Sequence, residues 1–362
     1  MISRRAQLVD ASGIRKVFDL AAKLKNPINL SIGQPDFDVP EEFKQKVIKA
    51  VKDGKNKYTV TQGIQELRDE IRSFLINRRV NVDDIFISSG VSGGILLSLL
   101  AVTDPGDEII VSDPYFVMYK HLAGLLGLKI KYVDTYPDFK FTAERLDAVI
   151  SERTKLVFIN SPSNPTGCVL NSRELKDLGE VLNKFSPVAI FDEIYSEFDY
   201  EKEHGCLSEF YERTVILNGF SKSHAMTGWR IGYAAGPKDI IEQMIKIQQY
   251  TFVCSPSIIQ YGALGAINGF LNDILKEYRK KRDIVFELLK DKFDVMKPQG
   301  AFYIFPKAPD GDGEGFVSRA IKNNVLIIPG SIFSEKDTHF RISFASSLDT
   351  IKEGCKILNK LV

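Results

Sequence analysis

Residues 214–235, TVILNGFSKSHAMTGWRIGYAA, place two apolar runs on either side of a polar stretch that contains Lys222 and Arg230. The runs TVILN (214–218) and IGYAA (231–235) have the length and the partly β-branched composition of buried strands. A polar stretch that directly follows a buried strand lies at the rim of a sheet, where ligands bind. The segment therefore predicts two strands and, between them, a loop that carries two cations at the sheet edge.

The same alternation of short apolar runs and longer amphipathic stretches extends upstream to about residue 84. This pattern is typical of repeated βα units that form a mostly parallel sheet. It predicts an α/β fold with a seven-stranded sheet, and SRELKDLGEVLNKF (172–185) is one of the predicted helices, with Ser172 as its N-cap. The predicted strands are 84–88, 108–112, 129–133, 155–160, 187–191, 214–218 and 231–235.

The pattern changes beyond about residue 275. A long charged helix, 275–293, precedes three strand-like segments, GAFYIFP, NVLIIPG and HFRISFA, which together predict a separate α+β unit. Near the N-terminus, residues 12–24 have the pattern of an amphipathic helix without a core of its own, so we expect it to pack on that unit. The predicted domains are a large one, 29–274, and a smaller discontinuous one, 1–28 with 275–362.

The composition favours a small-molecule ligand. Lys and Arg (48) nearly balance Asp and Glu (47), so no strong field attracts nucleic acid or an anionic membrane. The four cysteines lack the paired spacing of a zinc or disulfide framework, which predicts reduced thiols. No apolar run approaches about 18 residues and the N-terminus lacks a signal-peptide core, so a cytoplasmic location is expected.

Four polar loops follow four of the predicted strands. They are SSGVSGG (88–94), SPSNPTG (161–167), DEIY (192–195) and NGFSK (218–222). Because the carboxyl ends of parallel strands share one edge of a sheet, we expect the four loops to line one site. SSGVSGG also precedes an apolar helix, whose first N–H groups could bind an anion.

Each loop also has a purely structural explanation. The glycines of 88–94 could serve close packing, and the Asn-Pro of 161–167 could only mark a turn. Asp192 could begin a solvated helix, and Lys222 could be a surface lysine. However, Asp192 directly follows a fully apolar strand, where a carboxylate needs a cationic partner.

Taken together, these groups fit one cofactor. A lysine amine, a carboxylate, an asparagine side chain, an aromatic ring and an anion-binding loop with an arginine are what pyridoxal 5'-phosphate requires. The lysine attaches the cofactor aldehyde, the carboxylate keeps the ring nitrogen protonated, and the loop holds the phosphate. The sequence therefore predicts pyridoxal phosphate as the cofactor.

Six segments occur in the order that a known family shows: INLSIGQPDFDVP, NSPSNPTG, FDEIYSEF, GFSKSHAMTGWRIGY, GAFYIFP and FRISFA. From about residue 12 to the C-terminus the chain resembles the class I aminotransferases of pyridoxal phosphate fold type I. The similarity is greatest to the branch that contains bacterial and archaeal aspartate and aromatic amino acid aminotransferases. The resemblance implies a large cofactor-binding domain, a smaller domain and a homodimer.

The resemblance also implies roles around the cofactor ring. Lys222 would carry the cofactor and, once freed, move a proton between the substrate Cα and the cofactor. Asp192 would pair with the ring nitrogen, and Asn164 and Tyr195 would hydrogen-bond the 3' oxygen. Phe116, in DPYFVMY, would stack on the ring, although it could instead be a core phenylalanine.

Other roles concern the phosphate and the substrate. Arg230 would bind the phosphate together with the backbone of Val91 and the hydroxyl of Ser92, and Tyr58 would reach the phosphate of the partner subunit. Alternation in HFRISFA places Arg341 on the opposite strand face from its apolar neighbours. A guanidinium can hold a carboxylate at two points, so the resemblance assigns Arg341 to the α-carboxylate, with Asn164 and the backbone near Gly33 assisting. A solvated strand arginine is the alternative.

Three positions depart from the family pattern. Gly219 stands where many relatives carry a serine that binds the phosphate, and Ser221 could substitute for it. Ser92 stands where some relatives carry a lysine for a distal carboxylate, and Phe116 stands in place of tryptophan. The last two departures favour aromatic or broad substrate specificity.

The expected reaction is ping-pong transfer of the amino group of an L-amino acid, aspartate or aromatic, to a 2-oxo acid such as 2-oxoglutarate. One alternative is a pyridoxal phosphate carbon–sulfur β-lyase on the same scaffold. Another is a non-catalytic sensor domain that binds the cofactor. Such proteins usually carry an added DNA-binding segment, and the roughly 30 residues before the first motif leave little room for one.

Overall fold

The computed structural model describes residues 2–7, 24–80, 82–269 and 272–362. In chain order the strands are β1 (Ile28–Asn29), β2 (Asp84–Ser88), β3 (Glu108–Asp113), β4 (Lys129–Asp134), β5 (Thr154–Asn160), β6 (Val188–Asp192), β7 (Thr214–Gly219), β8 (Gly232–Gly236), β9 (Tyr303–Ile304), β10 (Val325–Leu326), β11 (Ile328–Pro329) and β12 (Phe340–Ser343).

The α-helices of these residues are α1 (Arg4–Gln7), α2 (Glu41–Lys52), α3 (Gln65–Asn77), α4 (Gly90–Val102), α5 (Val117–Leu126), α6 (Ala143–Asp147), α7 (Ser172–Phe185), α8 (Lys238–Thr251), α9 (Ser257–Gly262), α10 (Asn272–Leu289), α11 (Gly313–Lys322) and α12 (Leu348–Leu358). Among the described helices, none is both long and apolar enough to cross a membrane.

The seven predicted strands of the main sheet are confirmed, each within one residue of its predicted bounds. Their order is β2-β8-β7-β6-β5-β3-β4, and all pairs are parallel except those of β8, which runs antiparallel to β2 and β7. After β4 the chain returns to the other side of β3, so the loops that follow β3 and β5 diverge. Such a divergence opens a crevice at the carboxyl ends of the strands.

Apolar side chains cover both faces of this sheet. Along β6, Ala189 and Phe191 belong to one buried cluster, and Val188 and Ile190 belong to the cluster on the other face. A sheet covered on both faces needs almost continuous apolar strands, which explains why the strand signals in the sequence are strong. The polar residues at the strand ends are therefore exceptions to the pattern.

Helix α7 has the predicted bounds, but its predicted N-cap is wrong by one residue. Asn171, and not Ser172, is the N-cap: its side-chain oxygen accepts hydrogen bonds from the backbone N–H groups of Arg173 and Glu174, both at 3.0 Å. The Glu174 carboxylate accepts from the Asn171 N–H at 2.9 Å, which completes a capping box. Two reciprocal bonds explain why the helix begins after the asparagine.

The C-terminal part of the chain forms an α+β unit, as predicted. Helix α10 begins three residues earlier than expected and ends four residues earlier, and β11, β12 and β9 form an antiparallel sheet. Strand β1 pairs in parallel with β10, and Leu30 packs in the buried cluster of this unit. The predicted helix 12–24 lies, up to residue 23, outside the described residues.

Candidate active site

A cavity of about 250 Å³ opens at the carboxyl ends of the central strands. Residues from all four polar loops line it, together with residues of β9 and β12. Ten of the eleven predicted site residues lie in its wall: Gly33, Val91, Ser92, Phe116, Asn164, Asp192, Tyr195, Lys222, Arg230 and Arg341. The common location predicted for the loops is thus confirmed, whereas the role of each residue stays a prediction.

Asp192, the last residue of β6, is 2% exposed, and among the described residues only neutral groups donate hydrogen bonds to its carboxylate. The Tyr119 hydroxyl donates to its Oδ2 at 2.7 Å, and the backbone N–H of Ile194 donates to its Oδ1 at 3.3 Å. Burial raises the pKa of the Asp192 carboxyl to about 6. Among the described residues no ion pair includes Asp192, so this carboxylate suits a cationic group such as a protonated ring nitrogen.

The neighbouring carboxylate, Glu193, behaves in the opposite way. Arg78 donates to both of its oxygens at 2.9 and 3.1 Å, and His204 and Asn218 lie within 3.1 Å. Burial opposes ionisation, but the charge of Arg78 and these hydrogen bonds hold the pKa of Glu193 at about 2. Glu193 therefore anchors the strand end, and Asp192 is the carboxylate that faces the cavity.

The Lys222 amine donates to the Gly33 carbonyl oxygen at 2.7 Å. Burial and the nearby cations Arg341 and Arg230 lower its pKa to about 8, although Asp192 acts in the other direction. Since the ordinary value is 10.5, a larger share of the amine is neutral near pH 7. A neutral amine is the form that attacks an aldehyde or accepts a proton.

Arg341 is 1% exposed and holds a charge without a described counter-ion. Its Nη1 donates to Asn164 Oδ1 and its Nη2 to the Ser31 carbonyl, both at 2.9 Å, whereas its Nε has no partner in the described part of the chain. The guanidinium carbon lies 4.5 Å from the ring centroids of Tyr303 and Phe333. A buried cation with an unused donor suits a carboxylate ligand.

A second anion-binding position lies at the start of α4. The first N–H groups of a helix, here those of Val91 and Ser92, have no acceptor within the helix. Gly90, at φ +66°, lets Arg230 approach, because a Cβ there would stand 2.7 Å from Arg230 Nη2. Arg230 Nη1 donates to the Thr227 carbonyl at 2.9 Å. The result is a cradle of backbone donors beside a guanidinium, which suits a phosphate.

The departure at Gly219 has a packing reason. Gly219 pairs with Gly232 across β7 and β8, and a Cβ on Gly219 would lie 2.7 Å from the Gly232 Cα. A serine there would require the two strands to separate. Ser221, the proposed substitute, lines the cavity.

Tyr58 is the one predicted site residue outside the cavity. Its side chain is 83% exposed and lies at a different surface groove.

Sequence reasoning missed four polar residues of the site: Asn160, Thr227 and Tyr303, which line the cavity, and Tyr119, which donates to Asp192. Asn160 is the last residue of β5; its Nδ2 donates to the Asp192 carbonyl at 2.8 Å and its Oδ1 accepts from the Asn164 N–H at 2.9 Å. The strand-end criterion that selected Asp192 would have found it. Tyr119 lies on α5 and has no comparable signal, and Tyr303 was present in the motif GAFYIFP without an assigned role.

Comparison with known proteins agrees with this geometry. The family described as aminotransferase class I and II matches residues 25–358. The chain is 39% identical to a probable aspartate aminotransferase of Methanocaldococcus jannaschii, over all of both chains. It is 33% identical to aromatic-amino-acid aminotransferase 2 of Thermococcus litoralis, over all of this chain and 98% of that protein. A solved single mutant of Thermus thermophilus aspartate aminotransferase is 31% identical and superposes with a TM-score of 0.95 over all of both chains.

The chain belongs to the class I and II aminotransferase family. It has the fold type I architecture, it is a pyridoxal phosphate-dependent enzyme, and its activity is that of an aminotransferase. The residues of the cavity fit the cofactor, because they supply a lysine amine, an anion cradle and a buried carboxylate that forms no ion pair with any described residue. The β-lyase alternative receives no support from the relatives named above.

Proposed function

We propose that the enzyme transfers the amino group of an L-amino acid, aspartate or aromatic, to a 2-oxo acid such as 2-oxoglutarate in a ping-pong reaction. The observation that carries this proposal is the meeting of Lys222, Asp192 and Arg341 in one cavity, although they come from three separate segments of the chain.

The residues of the cavity divide into those that hold the cofactor and those that bind the substrate. Asp192 would hold the ring nitrogen, Asn164 and Tyr195 would donate to the 3' oxygen, and Phe116 would pack on the ring. The phosphate would bind at the start of α4, between Val91, Ser92 and Arg230. When bound, the cofactor supplies an electron sink for the bonds at the substrate Cα.

Lys222 acts as the base and acid of the reaction. Its pKa of about 8 would allow the freed amine to accept a proton from the substrate Cα and then to donate that proton to the cofactor. The Gly33 carbonyl, 2.7 Å from Nζ, orients the amine.

Arg341 binds the α-carboxylate of every substrate. Its Nε lacks a partner among the residues that the structure describes, and its bonds to Asn164 and Ser31 hold the guanidinium plane in place. Arg341 belongs to the proposed small domain, 1–28 with 275–362, which closes on the large domain, 29–274, and excludes water from the cavity. The pairing of β1 with β10 links the N-terminal segment to the C-terminal unit, but Asn29 and Leu30, just after the proposed boundary, also pack with that unit.

The side-chain preference follows from the charges that remain. Three cations line the cavity among the described residues, Lys222, Arg230 and Arg341, and each has a role already. Among the described residues of one subunit, no fourth cation lines the cavity to bind a distal carboxylate, whereas Phe116, Ile194 and Tyr303 supply apolar wall. This arrangement favours aromatic donors, and use of aspartate requires a donor group from outside the described cavity wall.

The proposed assembly is a homodimer in which Tyr58 reaches the phosphate of the partner subunit. Its high exposure and its position outside the cavity support this role.

A panel of amino donors tests the proposal. Aspartate, phenylalanine and tyrosine are compared at fixed 2-oxoglutarate, and the formation of glutamate is measured. Release of pyruvate and ammonia from cystathionine, without any oxo acid and faster than glutamate forms, would contradict it and favour the β-lyase.

A further inference from the structure

Tyr303 lies beside the tyrosine that is proposed to contact the cofactor. The hydroxyl oxygens of Tyr303 and Tyr195 are 2.8 Å apart, and both side chains are buried. Among the hydrogen bonds of the described residues, each of the two hydroxyls has the other as its only protein partner. The two hydroxyls therefore share one hydrogen bond, in which either hydroxyl can be the donor.

Counting protons fixes that direction once a cofactor is bound. A tyrosine hydroxyl has one proton to donate and can also accept a bond. If Tyr195 donates its proton to the anionic 3' oxygen, its bond to Tyr303 has to be one that it accepts. Tyr303 is then the donor, and an accepted hydrogen bond strengthens the one that Tyr195 donates.

The surroundings hold Tyr303 in this position. A Cβ on Gly33 would lie 2.5 Å from the Tyr303 hydroxyl oxygen, so only a glycine leaves room for it. Arg341 packs against the ring of Tyr303, with its guanidinium carbon 4.5 Å from the ring centroid. A Tyr303→Phe change removes the hydroxyl and leaves this ring contact in place.

We infer that Tyr303 is a positioning residue, which directs the Tyr195 proton to the 3' oxygen of the cofactor. This inference rests on the proposed role of Tyr195. A bond donated to the 3' oxygen draws negative charge from it, so that the adjacent lysine–cofactor linkage loses its proton at lower pH. The charged and titratable groups that face Lys222 and Tyr195 are Asp192, Arg230, Arg341 and Tyr303 itself.

The test is an absorbance titration of the cofactor-loaded enzyme, which gives the pH at which the bound cofactor changes colour. Tyr195→Phe should raise this pH, and Tyr303→Phe should raise it by about 10–30% of that shift, the share expected of one cooperative hydrogen bond. In the double variant the Tyr303 change should add nothing, because its effect passes through the Tyr195 hydroxyl.

Tyr211→Phe is the matched control. Tyr211 is equally buried and loses one hydrogen bond, to the Pro187 carbonyl, outside the cavity. Tyr211→Phe should not change the pH at which the bound cofactor changes colour. Thermal unfolding of the cofactor-free proteins shows whether the variants fold alike.

No shift in Tyr303→Phe, or a full additional shift in the double variant, would overturn the inference. If instead Tyr195→Phe itself causes no shift, the proposed role of Tyr195 fails, and that result is distinct.

Discussion

Replacing Arg341 by lysine should weaken the use of every amino substrate. Lysine keeps the charge but offers a compact ammonium in place of the planar fork, so one of the two bonds to the substrate carboxylate is lost. The hydrogen bonds to Asn164 Oδ1 and the Ser31 carbonyl, both 2.9 Å long, also change.

The expected loss follows from that one bond. A hydrogen bond to a charged group contributes about 1.5–3 kcal/mol, and each 1.4 kcal/mol is a factor of ten. We therefore expect kcat/KM to fall by about 10- to 150-fold for each donor, mainly through a higher KM.

The assay is a single-turnover reaction of the loaded enzyme with aspartate, phenylalanine, tyrosine and alanine in turn. Arg319→Lys, a change at the end of α11, controls for general effects of the substitution. A loss confined to one donor would refute the reasoning, because a residue that holds the α-carboxylate meets the same group in every substrate.

Three further predictions concern the other groups of the site. Lys222→Ala should abolish turnover and the cofactor linkage that borohydride traps, and normal rates in this variant would disprove the assignment. Asp192→Asn should stabilise the cofactor-free protein at pH 7 by up to about 3 kcal/mol. The reason is that folding raises the pKa of the Asp192 carboxyl from 3.8 to about 6, so its ionised form destabilises the folded state at pH 7. Denaturant titrations should show this gain shrinking as the pH falls toward 4, and a gain independent of pH would contradict it. Mixing Lys222→Ala with Tyr58→Ala subunits should restore activity above either parent, since one site of the hybrid dimer then has both residues; no recovery would show that Tyr58 acts within its own subunit.

Much of the fold was readable from short segments. A strand buried on both faces must be apolar almost throughout. Strands such as β6 and β7 can therefore be recognised from the five or six residues that form them. The polar residues at or next to their carboxyl ends, Asp192 and Asn218 among them, then stand out against an apolar background. The helix cap at Asn171 was misplaced because two neighbouring residues, Asn171 and Ser172, are both good caps, and only the chain geometry selects one.

The sequence by itself determined the strands, their order along the chain and the polar positions that end them, since each is set by local patterns of a few residues. Only the tertiary structure decided that Tyr119 would donate to Asp192 from 73 residues away and that Tyr303 would meet Tyr195 from 108 residues away. Neither contact has a local signature, because it depends on how helix α5 and the C-terminal sheet pack against the main sheet. The same packing buries Asp192 and Lys222 and moves their pKa values toward neutrality, which no neighbour in the sequence could do.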